Sequence, residues 1–282
     1  MTERVTPIDR PRPFLKWVGG KRQLLKELEP RIAAARPHGR YHEPFVGGGA
    51  LFFDLYARNQ LGRSYAALSD NNQRLIEAYV GVRENVEQLI GLLETHKNAH
   101  GKEHYYAVRA HVPDDSVARA ARIIYLNRTC FNGLFRENSK GEFNVPMGRY
   151  ENPLICDTTN LRAVSKALQH CTVKHQSFAA IVDQAKPGDF VYFDPPYAPV
   201  SKTANFTGYH KGQFDEGSQR ELSSVFDELT RKGVKALLSN SDAPLVHSLY
   251  GQYSIQVVRA SRQVNSRADK RGKVNEVLVQ NY

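Results

Sequence analysis

Four consecutive residues, Asp194-Pro195-Pro196-Tyr197, join an acid, two stiff residues and an aromatic directly after the apolar run at 190–193. A specified tetrapeptide arises by chance in a chain of this size roughly once in several hundred sequences. A strand followed by a proline-stiffened turn explains the prolines. It leaves the acid and the aromatic without a reason. One chemistry uses all four: activation of an exocyclic amine. The lone pair of adenine N6 is delocalised into its ring, which makes that amine a poor nucleophile. Accepting a hydrogen bond from each N6 hydrogen, on the Asp194 carboxylate and the Pro195 carbonyl oxygen, favours sp³ character and frees the pair. The prolines hold both acceptors in place before reaction. Tyr197 is suited to stack on a base taken out of a duplex.

A second group is Glu43-Pro44-Phe45-Val46-Gly47-Gly48-Gly49, followed 21 residues after Gly49 by Asp70. In open α/β sheets ligands bind beyond the carboxyl ends of strands, and both groups stand at such ends. Glycines let the backbone approach a ligand closely. A carboxylate at the next strand end can accept hydrogen bonds from two ribose hydroxyls, which suits NAD and S-adenosylmethionine alike. The glycine run does not fit G-x-G-x-x-G, the fingerprint that holds a pyrophosphate. S-adenosylmethionine has no phosphate, so the mismatch favours it. A lone glycine run is more often a plain turn; its weight comes from its companion at 194–197.

These residues need strands to end behind them. A strand is expected at 40–44, then a helix carrying Leu51, Phe52 and Leu55, then a strand at 65–69 ending at Asp70. Asn71 and Asn72 are placed to cap the next helix, whose buried face carries Leu75, Ile76, Tyr79 and Val80. The pattern stays helical over 84–126. Residues 131–150, rich in Gly and Asn, predict a β-hairpin or irregular loop projecting from helices. Strands are expected from Val173, at 190–193, at 234–238 and around Val257 and Val277, with a helix over 219–231. The alternation predicts an α/β fold, a Rossmann-like domain with a mainly parallel sheet. Residues 1–83 and 160–282 would form it, split by a mostly helical target-recognition domain at 84–159.

Composition narrows the classes. The 282 residues carry 39 Lys+Arg against 29 Asp+Glu, a net +10 that attracts polyanions. A basic stretch runs from Arg259 through Arg262, Arg267, Lys270 and Arg271 to Lys273. No apolar run reaches the ~20 residues of a bilayer span, and the first residues lack a signal-like apolar core. Three scattered cysteines, Cys130, Cys156 and Cys171, suit reduced thiols and a cytoplasmic location, with the protein on the nucleoid through DNA. His96, His100, His104 and His111 are read as a solvated helix or loop, with no metal site, because Gly101 interrupts the run and no carboxylate or cysteine cluster accompanies it.

Nearly the whole chain, 13–282, resembles the α-group amino-methyltransferases, and among them the Dam-type DNA adenine methylases. The resemblance rests on motifs in order: Phe14-Leu15-Lys16-Trp17-Val18-Gly19-Gly20-Lys21, the segment 43–49, Asp70-Asn71-Asn72, the hairpin, then 194–197 with the residues up to His210. It implies that Trp17 and Lys21 help hold S-adenosylmethionine, with S-adenosylhomocysteine as product. Glu43, Pro44, Gly47 and Gly49 shape that site, Phe45 packs near it, Asp70 binds the ribose and Asp194 borders it. Asp194, Pro195, Pro196 and Tyr197 would hold the adenine. Gly48 departs from the alanine or other small residue expected there.

Residues 125–150 look like the family's target-recognition hairpin. Arg136 can donate bidentate bonds to a guanine edge, and Leu134 and Pro146 suit a thymine methyl. Arg149 suits a phosphate. Phe131, where tyrosine is common, and Asn132 can fill the space left by a flipped base. Lys16 matches a residue that contacts the first guanine. The implied target is GATC in double-stranded DNA, read by a monomer. Alternatives are a longer site with a GAT core, cytosine N4 or RNA as substrate, an NAD-dependent oxidoreductase, and a DNA-binding protein with an inactive methylase fold.

Overall fold

The computed structural model describes residues 10–17, 24–35, 38–61, 66–200, 214–261 and 273–282. Strands β1 (Tyr41–Glu43), β2 (Ala66–Asp70), β3 (Cys171–His175), β4 (Phe190–Phe193), β5 (Lys235–Ser241), β6 (Ser254–Ser261) and β7 (Lys273–Gln280) make a sheet in the order β3-β2-β1-β4-β5-β7-β6. Strands β2, β1, β4 and β5 run parallel; β7 is antiparallel to β5 and to β6. Every residue of β1 and β4 is buried, as a parallel sheet covered on both faces requires. The expected α/β class and mainly parallel sheet are present. The chain divides into two compact units, one of residues 1–20, 47–60 and 72–175, the other of 21–46, 61–71 and 176–282.

The first unit is mostly helical: α2 (Ala50–Ala57), α3 (Gln73–Glu84), α4 (Val86–Asn98), α5 (Lys102–Ala110), α6 (Ser116–Thr129) and α7 (Thr158–Leu168). Three start on side-chain caps. Asn72, Asp115 and Asp157 accept from the amides of Leu75, Ala118 and Asn160, each satisfying an orphan donor worth about 1 kcal/mol. On α3 the buried face is Leu75, Ile76, Ala78, Tyr79 and Val82. Val80, expected inside, is only partly buried, because the stripe continues at the 3-spacing from Tyr79 to Val82. Gly81 costs about 1 kcal/mol of helix propensity. A Cβ there would lie 2.5 Å from the Ala120 Cβ, so its absence lets α3 and α6 touch.

Residues 131–150 form a narrow hairpin tied by bridges Cys130↔Met147 and Glu137↔Phe143, beginning with a 3₁₀ turn at Phe131–Gly133. Its end turns through Gly141 at φ 73°, where the Asn138 amide donates to the Glu142 carbonyl.

The second unit adds α1 (Leu25–Ala35), α8 (Ile181–Gln184), α9 (Glu216–Arg231) and α10 (Pro244–Tyr250) to strands β1, β2 and β4–β7. Its core includes Val191, Phe193, Leu222, Phe226, Leu238 and Val277, all buried. Helix α9 starts three residues before the expected 219, because the Asp215 carboxylate caps it by accepting from the Ser218 amide. The three cysteines are free and buried. Among the described residues, no helix is long and apolar enough to cross a membrane.

Candidate functional site

Strand register sets up the turn at 194–197. Phe193 pairs with Leu238, so the next residues, Asp194 and Ser239, lie side by side. Ser239 Oγ donates to Asp194 Oδ1 at 3.0 Å, and the Tyr192 hydroxyl lies 3.0 Å from the same Oγ. Beyond Asp194, the Gln219 amide donates to the Pro196 carbonyl at 2.9 Å. Asn240 Oδ1 accepts from the Ala198 amide at 3.0 Å, and Ser241 Oγ donates to the Ala198 carbonyl at 2.6 Å. Asn240 Nδ2 in turn donates to Gln219 Oε1, joining the two supports.

On β7, Glu276 pairs with Ser241, which brings its Oε2 to 2.7 Å from the Tyr197 hydroxyl. Burial, then the charge of Asp194, pushes the Tyr192 and Tyr197 hydroxyls well above the ordinary tyrosine range. Both remain protonated donors. Pro195 is buried and Pro196 exposed.

The other strand ends of this unit carry the remaining acids. Glu43 closes β1, is buried, and accepts from the Tyr41 hydroxyl at 2.8 Å. Pro44 is buried after it. Phe45 stacks on Phe178 at 5.3 Å between centroids and meets Phe214 edge-on at 5.6 Å. Asp70 ends β2, half-buried, and its carbonyl accepts from the Gln176 amide. A strand-end carboxylate and an aromatic platform are groups able to hold a nucleoside.

The glycine turn belongs to the helical unit. Gly47 and Gly49 have φ of 47° and 68°, the left-handed region where a Cβ is strained. A Cβ on Gly47 would also lie 2.9 Å from the Trp17 ring, and one on Gly49 2.6 Å from the Tyr79 hydroxyl. That hydroxyl donates to the Gly47 carbonyl at 3.0 Å. Trp17 and the turn are thus in contact. Lys21 lies outside the described residues, as do 201–213 and the basic positions 262, 267, 270 and 271.

The hairpin gathers the other expected residues. Phe131, Asn132, Arg136, Pro146 and Arg149 are exposed and Leu134 is half-buried. Phe131, at 47% exposure, is a large apolar side chain in water. Its amide donates to the Pro146 carbonyl at 2.9 Å, and Asn132 takes a left-handed φ of 55°. Arg136 Nε donates to Asn144 Oδ1 across the hairpin at 2.7 Å.

Lys16 joins this group through Asn127, a buried residue of α6. Asn127 Oδ1 accepts from the Lys16 amide at 2.7 Å, and its Nδ2 donates to the carbonyls of Lys16 and Gly133. The Lys16 ammonium sits 3.8 Å from the centre of the Tyr150 ring, a cation–π contact.

The strand-end acid–Pro–Pro–Tyr turn stands in an α/β sheet, as the resemblance to the amino-methyltransferases implies. Residues 17–264 match the model of the family described as D12 class N6 adenine-specific DNA methyltransferase, and the chain belongs to that family. It is 43% identical over 279 residues to a Type II methyltransferase, M1.LlaDCHI, of Lactococcus lactis subsp. cremoris, covering 96% of this chain and 95% of that one. It is 39% identical over 288 residues to the Type II methyltransferase M.MjaIII of Methanocaldococcus jannaschii, covering 96% and 99%. With the DNA adenine methylase of Escherichia coli K12 it shares 35% over 275 residues, covering 95% and 94%. The protein is therefore a DNA adenine-N6 methyltransferase, and methyltransferases of this family use S-adenosylmethionine.

Several residues of these clusters escaped the sequence reading: Gln219, Ser239, Asn240, Glu276, Asn127 and Tyr150. A signal existed for some. Ser239-Asn240-Ser241 is a polar run ending the apolar strand β5, and Asn127 interrupts the apolar stretch of α6. One expectation is corrected in part: His111 is exposed, but His96, His100 and His104 are not simply solvated. His96 stacks on Tyr125 at 4.8 Å and its Nδ1 lies 3.0 Å from His104 Nε2, while His100 Nδ1 lies 2.9 Å from the Tyr125 hydroxyl. The apolar stretch of α6 supplies the ring on which they pack. Burial, then His104, pushes the His96 pKa down to about 4.

Proposed function

We propose that the enzyme methylates the adenine of GATC in double-stranded DNA after turning that base out of the helix. The observation that carries this reading is the hairpin. In 20 residues it presents Phe131, Asn132, Leu134, Arg136, Pro146 and Arg149, with Lys16 tied to its base by Asn127. Arg136 donates to a guanine edge, Leu134 and Pro146 meet the thymine methyl, and Lys16 reads the first guanine. Arg149 binds a phosphate. Phe131 and Asn132 occupy the vacated stack. Residues 84–159 then act as the target-reading division and 1–83 with 160–282 as the catalytic one.

In the catalytic division, Asp70 binds the ribose of S-adenosylmethionine. Glu43, Pro44, Phe45, Gly47, Gly49, Trp17 and Lys21 complete its site, which Asp194 borders. When bound, the cofactor supplies a methyl group already activated on a sulfonium and leaves as S-adenosylhomocysteine. The Asp194 carboxylate and Pro195 carbonyl accept from the adenine amine, Pro196 stiffens the turn, and Tyr197 stacks on the base. A monomer suffices, since each strand of a palindrome is methylated in turn.

The test is incubation with methyl-labelled S-adenosylmethionine and two duplexes, one holding GATC and one with the site scrambled. Label as N6-methyladenine in the first alone supports the site. Equal label in both overturns GATC, and label in neither moves the target to a longer site with a GAT core.

A further inference from the structure

A serine hydroxyl has one hydrogen to give. Ser239 Oγ donates it to Asp194 Oδ1, so at the contact with Tyr192 the tyrosine must be the donor. The sequence Tyr192 O–H to Ser239 O–H to Asp194 therefore runs one way. Tyr192 and Ser239 are buried, with no measurable exposure, and the charge of Asp194 is among the causes that keep the tyrosine proton in place. We propose that Ser239 is a positioning residue for methyl transfer: it fixes the plane of the Asp194 carboxylate before the adenine arrives. This rests on the reading of Asp194 as an acceptor for the adenine amine.

The argument is geometric. A carboxylate on a single Cβ–Cγ bond is free to rotate, and an acceptor that turns by tens of degrees loses the direction a hydrogen bond needs. The prolines at 195 and 196 stiffen the backbone and not this bond. Engaging Oδ1 through a residue of the neighbouring strand does. The register Phe193↔Leu238 holds that residue beside Asp194, and Tyr192, inside β4, holds its hydroxyl in turn. Gln219 and Asn240 serve the backbone of the same turn, so side chain and main chain are fixed by separate partners.

The experiment measures single-turnover rate, cofactor affinity and duplex affinity for Ser239→Ala, Ser239→Thr, Ser239→Cys and Asp194→Asn. Ser239→Ala should slow transfer about 10- to 100-fold, with both affinities held within about three-fold. Ser239→Thr returns a hydroxyl and should recover most of the rate. Ser239→Cys keeps the volume with a weak donor and should stay slow, which covers the case of an alanine variant that does not fold.

A parent rate in Ser239→Ala or Ser239→Cys while Asp194→Asn is inactive overturns the positioning role and leaves Asp194 standing. A threonine variant as slow as the alanine one, or affinities that fall as far as the rate, also overturns it. A parent rate in Asp194→Asn instead removes the reading beneath it.

Discussion

The turn at 194–198, proposed to hold the adenine, and the hairpin at 131–150, proposed to read the DNA, are both short irregular segments, and they are held differently. The turn is gripped along its length: Ser239 on Asp194, Gln219 on Pro196, Glu276 on Tyr197, Asn240 and Ser241 on Ala198. The hairpin is gripped at two places, at its base by Asn127 and the Cys130↔Met147 bridge and near its tip by Arg74, which donates to Glu137 and the Gly141 carbonyl. Its proposed contact residues are exposed, apart from the half-buried Leu134. Chemistry on an amine gains from acceptors that need not reorganise. Reading a groove needs side chains that reach outward and settle on contact.

That contrast is breakable, most severely at Asp194. Asp194→Ala should lower turnover on the order of 10³-fold or more while leaving duplex affinity within a few-fold, measured by single-turnover labelling and by titration of the duplex. Comparable losses in both would mean that the turn also binds DNA. Arg136→Ala should do the reverse: near-parent chemistry at saturating GATC duplex, with discrimination at one guanine reduced by about 1–3 kcal/mol. A uniform loss on every sequence would mark Arg136 as a phosphate contact.

Asn127→Ala tests the base of the hairpin. It leaves the buried groups of Lys16 and Gly133 unpaired, so unfolding in urea should show a loss of about 1–3 kcal/mol, with weaker duplex binding and unchanged cofactor binding.

The smallest effect concerns the histidines behind the hairpin. A His whose folded pKa is depressed to about 4 binds fewer protons than in the unfolded chain. Its contribution is therefore intact above the unfolded value of about 6.5 and is lost as pH falls toward 4. Urea midpoints should drop between pH 7 and pH 5, and His96→Gln should make that drop shallower. An unchanged slope would show that His96 does not titrate in this window.

The same contrast explains what the sequence could reveal. Asp194 to Tyr197 and Glu43 to Gly49 are contiguous, so residue type and order announce them. Strand β4 was legible because it is a continuous apolar run, and β2 because it ends at an acid just before the capping Asn72. Strand β1, Tyr41-His42-Glu43, was legible only from the glycine turn that follows it. The supports of the turn were not, since Ser239 reaches Asp194 only through the pairing of β4 with β5, and Glu276 only through β7. Helices α1, α7, α8 and α10 went unmarked: α1 contains Pro30, α8 and α10 are of one to two turns, and α7 follows a loop without a strong start signal beyond Asp157. Val80 was misplaced because two spacings, 3 and 4, continue a helical stripe equally well until packing chooses.

The amide of Asn127 has a consequence for re-engineering. It binds the backbone of Lys16 and of Gly133 at once, and Gly133, at φ 63°, has Lys16 where its Cβ would be. The base is thus a fixed socket for residues 134–145, whose Phe135 and Val145 are held besides by Trp17, Tyr105 and Arg109. A graft of that segment from a relative should fold here provided Asn127, Gly133, Phe135, Val145 and Pro146 stay and position 74 is exchanged along with it.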